Sequence, residues 1–178
     1  MLHSIIRKMA LCAVLYISLF GSLTAQITVP KGNFQFDFPG ERWKYLETLD
    51  IDKSTTVYLY SRVKEIVSAN GDTVLPFLRI YVKSDIGNKN VMDMSMERFM
   101  QQPFNVVDEF STSEYFKAKD AIGYIGVVKY NDTPDGQFYM IYFTNKGVLV
   151  EFRLETEKST FATMKAEFEE ILNTIVLN

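Results

Sequence analysis

Between Ala121 and Glu155 the sequence is nearly continuous strand signal, broken only by short turns. Val148, Val150, Phe152 and Leu154 alternate with Leu149, Glu151, Arg153 and Glu155, the period of two that puts one set of side chains on each face of a strand. Ala121 to Tyr130 and Gln137 to Thr144 read as two more strands joined through NDTPDG, and Asn145-Lys146-Gly147 turns the second into the third. The first two carry apolar or aromatic residues on both faces, so they are expected to be central strands covered on both sides. The third keeps one mostly polar face.

The same period appears earlier. Phe34, Phe36 and Phe38 alternate with Gln35 and Asp37 until Pro39-Gly40 stops the run, and Trp43, the only tryptophan, follows. The alternation points the rings inward, so they and Trp43 read as core rather than as an exposed stacking platform. Thr56 to Val63 is a further strand. Asn70-Gly71 in SANGDT marks a hairpin because both residues tolerate positive φ, and the chain returns as Val74 to Lys83. There Leu78, Ile80 and Val82 point in, and Arg79, Tyr81 and Lys83 point out.

Two segments carry the helical period instead. In NVMDMSMERFMQQP, Met92, Met96, Phe99 and Met100 share a stripe, Asn90 can cap the start and Pro103 marks the end. In the C-terminal segment Phe161, Met164, Phe168, Ile171 and Ile175 fall at spacings of 3 and 4, which predicts an amphipathic helix on the sheet. Lys165, Glu167, Glu169 and Glu170 are placed on its wet side.

The first 25 residues have a different character. Arg7 and Lys8 precede an apolar run from Met9 to Phe20 that is too short to span a bilayer, and Gly21, Ser22 and Ala25 lead out of it, as in a secretory signal peptide. Residues 1–25 are therefore expected to be removed, leaving residues 26–178 as one domain, periplasmic or extracellular, with no stable membrane insertion. Cys12 and His3 are the only cysteine and histidine, and both would leave with the leader. Without them a disulfide, a Ser-His pair, a Cys thiolate or a usual zinc site cannot form in the mature chain. Removing Arg7 and Lys8 makes the formal charge of −3 two units more negative, which disfavours nucleic acid as a partner.

Several motifs suggest chemistry that their context does not support. Met92, Met94 and Met96 have M-x-M-x-M spacing, but on a helix residues two apart diverge, so packing by adaptable methionines is expected rather than copper ligation. Ser61 and Lys64 fit S-x-x-K, yet three residues apart on a strand they face opposite ways. Asn131 to Gly136 loosely resembles a calcium loop whose twelfth position is Tyr142 instead of glutamate. Asp50 and Asp52 have no third ligand nearby. No phosphate-binding, dinucleotide-binding, zincin or hydrolase-elbow motif occurs.

The opening F-x-F-P followed by tryptophan, the hairpin, the mid-chain helix, the three-strand meander and the final helix ending FEEILNTI together resemble the PsbP family. That family includes lumenal photosystem subunits, a Ran-binding nuclear import factor and many secreted bacterial proteins. The resemblance implies an α+β fold, an antiparallel β-sheet flanked by helices in an α/β/α sandwich, and action by binding other proteins. It supplies no catalytic residue, metal or cofactor. The expected function is thus a secreted, non-catalytic accessory module whose partner is another envelope protein. The outward residues Arg79, Tyr81, Glu151 and Arg153 are its candidate partner surface, set against simple cross-strand charge pairing. The alternative is a carrier of an apolar ligand held between sheet and helix.

Overall fold

The computed structural model describes residues 26–101, 104–128 and 135–178. The expected leader, Pro103 and residues 131–134 of the supposed calcium loop lie outside the described residues. In chain order the elements are β1 (Ile27–Val29), β2 (Phe34–Phe36), β3 (Trp43–Asp50), β4 (Thr55–Arg62), β5 (Ile66–Val67), β6 (Thr73–Val74), β7 (Phe77–Lys83), α1 (Val91–Gln101), β8 (Phe104–Phe110), β9 (Ala121–Val128), β10 (Gly136–Asn145), β11 (Val148–Glu157), α2 (Phe161–Leu172) and β12 (Val176–Leu177). Seven strands form one antiparallel sheet in the order β3-β4-β7-β11-β10-β9-β8. The short strands β1, β2 and β12 make a second sheet, and β5 pairs β6 at the tip of the β4–β7 hairpin. The class is α+β.

Alternation along the central strands builds two apolar layers. Tyr139, Ile141 and Phe143 of β10, Val150, Phe152 and Leu154 of β11, and Leu78, Ile80 and Val82 of β7 pack with Phe161, Met164, Phe168 and Ile171 of α2. Phe34 and Phe36 close this layer, their rings 5.4 Å from Phe143 and 5.3 Å from Phe152. Each such side chain contributes about 1.5–3 kcal/mol on burial, which makes this layer the main source of stability. The residues of opposite parity, Phe138, Met140, Tyr142 and Leu149, join Tyr124 with Val91 and Met94 of α1 in a smaller cluster. No helix among the described residues is long and apolar enough to cross a membrane.

Two strands lie where the sequence shows no clean period. β3 and β8 are the sheet's edges, and each contains a register shift, between Tyr45 and Glu47 and between Val106 and Asp108. A bulge moves later residues to the opposite face, which erases alternation. After Trp43 every residue of β3 is exposed. β8 nonetheless explains why β9 is interior: Phe110 lies across from Gly123 with its ring where a β-carbon would stand.

The orientation of α1 corrects the expected methionine stripe. The helix is capped as foreseen, with the Asp93 N–H donating to Asn90 Oδ1 at 2.9 Å. Its covered residues, however, are Val91, Met94 and Ser95, while Met92, Met96 and Met100 are exposed, Met100 at 78%; of the expected stripe Phe99 alone is partly buried and packs on this cluster. The sheet beneath offers polar partners as well as apolar ones, and they set the rotation. Ser95 Oγ pairs with the Tyr124 hydroxyl at 3.2 Å, and Arg98 reaches Glu151.

Candidate functional site

All four candidate residues meet on the face of the sheet that carries α1. β7 pairs β11 so that Tyr81 lies opposite Glu151 and Arg79 opposite Arg153. Two arginines facing each other would repel. Glu155, one step along the same face, is ion-paired to both Arg79 and Arg153, and Glu151 holds Arg153 from the other side. The Arg153 guanidinium also lies over the rings of Tyr81 and Phe138, at 5.3 and 5.5 Å. Burial opposes its charge, but the adjacent carboxylate of Glu151 and the further negative groups outweigh this and raise its pKa.

The expected outward position holds for only part of this group. Glu151 and Arg153 are 4% and 3% exposed, enclosed by neighbouring side chains. They support the surface; Arg79 and Tyr81, partly exposed, reach it. Arg98 on α1 was not singled out by the sequence. Its Nε sits 3.3 Å from Glu151, and its guanidinium covers Tyr81 at 4.9 Å. The available signal was its spacing, four after Met94 and seven after Val91, which places it on the covered face of the helix.

Beside this network a cleft of about 250 Å³ opens between α1 and strands β4, β7 and β11. Tyr142, Leu149 and Glu151 form part of its lining, with Tyr81 and Lys83 from β7 and Met94 and Arg98 from α1. Burial, then the nearby Glu151 charge, push the Tyr142 hydroxyl above the ordinary tyrosine range. The cleft combines charged groups with two aromatic rings. Its lining is mixed, with Ile51, Met94 and Leu149 beside the charged groups.

Two acidic residues assigned to the wet side of α2 have a different role. Glu167 is buried, accepting the Trp43 indole N–H at 2.6 Å, Arg62 through two nitrogens at 3.3 and 3.2 Å, and Arg42 at 3.2 Å. Trp43 is the reason: the return after Phe38 brings its indole down onto α2, where the ring stacks on Phe38 at 5.6 Å. Glu169 Oε1 accepts from the Tyr115 hydroxyl at 2.8 Å, the Tyr139 hydroxyl at 3.3 Å and Lys165 at 2.5 Å. These carboxylates fasten α2 and face no cleft with one another. Among the described residues no group of three His, Cys, Asp or Glu could hold a metal ion.

No family model matches the chain, and no curated protein matches it. Solved structures do. Cyanobacterial PsbP (CyanoP) from Synechocystis sp. PCC 6803 superposes with a TM-score of 0.55 over 89% of this chain and 96% of its own, at 13% identity. The fold is PsbP-like. The protein of unknown function PA94 from Pseudomonas aeruginosa also superposes, with a TM-score of 0.56 over 83% of this chain and 99% of its own, at 10% identity. At such identities the likeness is one of backbone, and no residue's role is transferred.

Proposed function

We propose that the mature chain is an exported, non-catalytic accessory module, an α/β/α sandwich of the PsbP kind that acts by binding another protein of the cell envelope. The leader-like N-terminus supports export. The observation that carries the binding role is the face built from Arg79, Tyr81 and Arg98 over the buried Glu151–Arg153 pair. Arginine and tyrosine are the residue types enriched at interface centres, and here their rotamers are fixed by charge and ring contacts before any partner arrives. Exposed Ile51 lines the cleft from the loop before β4, and Met96 and Met100 add adaptable apolar area on the exposed side of α1.

The carrier of an apolar ligand is less well supported, because charged residues line the cleft between sheet and helix. Mild crosslinking in the native host, followed by capture of the tagged chain, tests the leading reading. Wild type should retain a partner that Arg79→Glu and Tyr81→Ser variants lose. A partner retained equally by both variants, or none above background, would refute it.

A further inference from the structure

We propose that the cleft between α1 and strands β4, β7 and β11 is a carboxylate-binding site in which Arg98 and Lys83 take the anion. This rests on the reading of that face as a binding surface and names the chemistry its ligand carries. Three acidic residues line the cleft, and each is already engaged. Asp52 accepts the Ser54 N–H and hydroxyl at 2.7 and 2.8 Å, Glu97 takes the Lys89 ammonium at 2.5 Å, and Glu151 takes Arg153 and Arg98.

The cations are not used up. Arg98 approaches Glu151 through its Nε at 3.3 Å, and among the described residues its two terminal amino groups make no hydrogen bond. The Lys83 ammonium likewise makes no hydrogen bond or close ion pair among the described residues, although its charge is felt by Glu97 across the cleft. A guanidinium tethered at Nε and stacked on Tyr81 has lost much of its rotational freedom, which leaves its outer edge aimed for the parallel hydrogen bonds a carboxylate accepts. Thr55 and Gln101 add neutral donors to the lining, and Met94, Leu149 and Ile51 an apolar wall. The volume of about 250 Å³ is below that of a pocket for a drug-sized molecule and suits a short aliphatic acid or one acidic side chain.

Titration of the intact mature protein, labelled with nitrogen-15, separates the two sources of such a group. The probes are succinate and a blocked pentapeptide with one central glutamate, its glutamine counterpart serving as the control. Saturable shifts of the Arg98 Nε–H resonance are expected. Saturation by succinate assigns a free small acid, and saturation by the glutamate peptide alone assigns a protein carboxylate. Lys83→Met should weaken binding of the effective probe about tenfold, and Arg98→Lys, which keeps the charge and loses the fork, by at least as much. Arg98→Lys also alters the tie to Glu151, so Lys83→Met, at a partly exposed side chain without a bonded partner, is the decisive variant. No saturable shift with either probe across the millimolar range, equal binding of the glutamine peptide, or unchanged affinity in Lys83→Met overturns the site. Succinate binding with no captured partner would refute the protein-binding function alone.

Discussion

Glu167 shows how one side chain can carry more than its charge suggests. It is 6% exposed and satisfies an indole and two guanidinium groups from a distant part of the chain. Removing it leaves the Trp43 N–H and Arg62 without their acceptor in a nearly dry site, and breaking a buried pair by deleting one partner is expensive. Glu167→Ala should therefore lower the unfolding free energy by about 3 kcal/mol in urea titrations. Glu170→Ala, which removes an exposed partner of Arg42, should change it by less than about 1 kcal/mol. Equal effects would mean the indole and guanidinium contacts contribute little. Glu169 gives a different readout. Burial opposes its charge, but the bonds from Lys165 and Tyr115 prevail, and its pKa falls below the ordinary 4.5. A carboxyl depressed by folding adds stability that is complete above its unfolded value and disappears as pH falls through the folded one. Glu169→Gln should thus be less stable than wild type at neutral pH, and the gap should narrow as pH drops below 4.5. A constant gap across that range would exclude the linkage.

At the level of elements, legibility followed burial. β7, β9, β10, β11 and α2 were readable because each buries alternate residues or a full stripe, and burial is what selects apolar side chains at fixed period. β3 and β8 were not, since an edge strand needs only backbone bonding on one side and their bulges break the period. The rotation of α1 was hidden for another reason. Met92, Met96 and Met100 keep a regular spacing of four with Phe99 beside them, whereas the covered face carries Val91, Met94 and the charged Arg98, whose place there depends on Glu151 beneath it. This orientation is directly testable. Met94→Ala should cost about 2–5 kcal/mol, as for a buried methionine, whereas Met96→Ala and Met100→Ala should stay within about 0.5 kcal/mol. Matching losses at all three positions would require a different rotation. The pairing of β8 can be probed at Gly123, where a methyl group would collide with the Phe110 ring. Gly123→Ala should destabilise by about 1–3 kcal/mol, and Phe110→Ala in the same chain should recover part of that loss because the two changes share one contact. Strictly additive losses would show that the ring does not occupy that space.

Across the whole molecule, the candidate surface was easier to name than to interpret. Arg79, Tyr81, Glu151 and Arg153 were visible as the polar parity of two strands, but pairing of β7 with β11 and the passage of α1 over them depend on contacts far apart in sequence, such as Tyr81 with Glu151 and Arg98 with Glu151, and these turned two of the four from surface into support. Long-range closure recurs in the small sheet. β2 is flanked by β1 from the start of the domain and by β12 from its end, where Val176 pairs Gln35 and Leu177 pairs Phe34. The Asn178 N–H donates to the Asn33 carbonyl at 3.0 Å, while Thr174, which accepts the Asp37 N–H at 2.8 Å, ties the loop just after β2. Phe34 and Phe36 stand directly on Phe143 and Phe152, so loosening β2 opens the main core itself. Deleting residues 176–178 removes only β12 and keeps Thr174. It should cost about 2 kcal/mol, the worth of a few backbone hydrogen bonds, and shift the entire thermal transition to lower temperature as a single step. If the small sheet unfolded on its own, an early minor transition would vanish and the main one would stay in place, and the termini could not then be credited with closing the core.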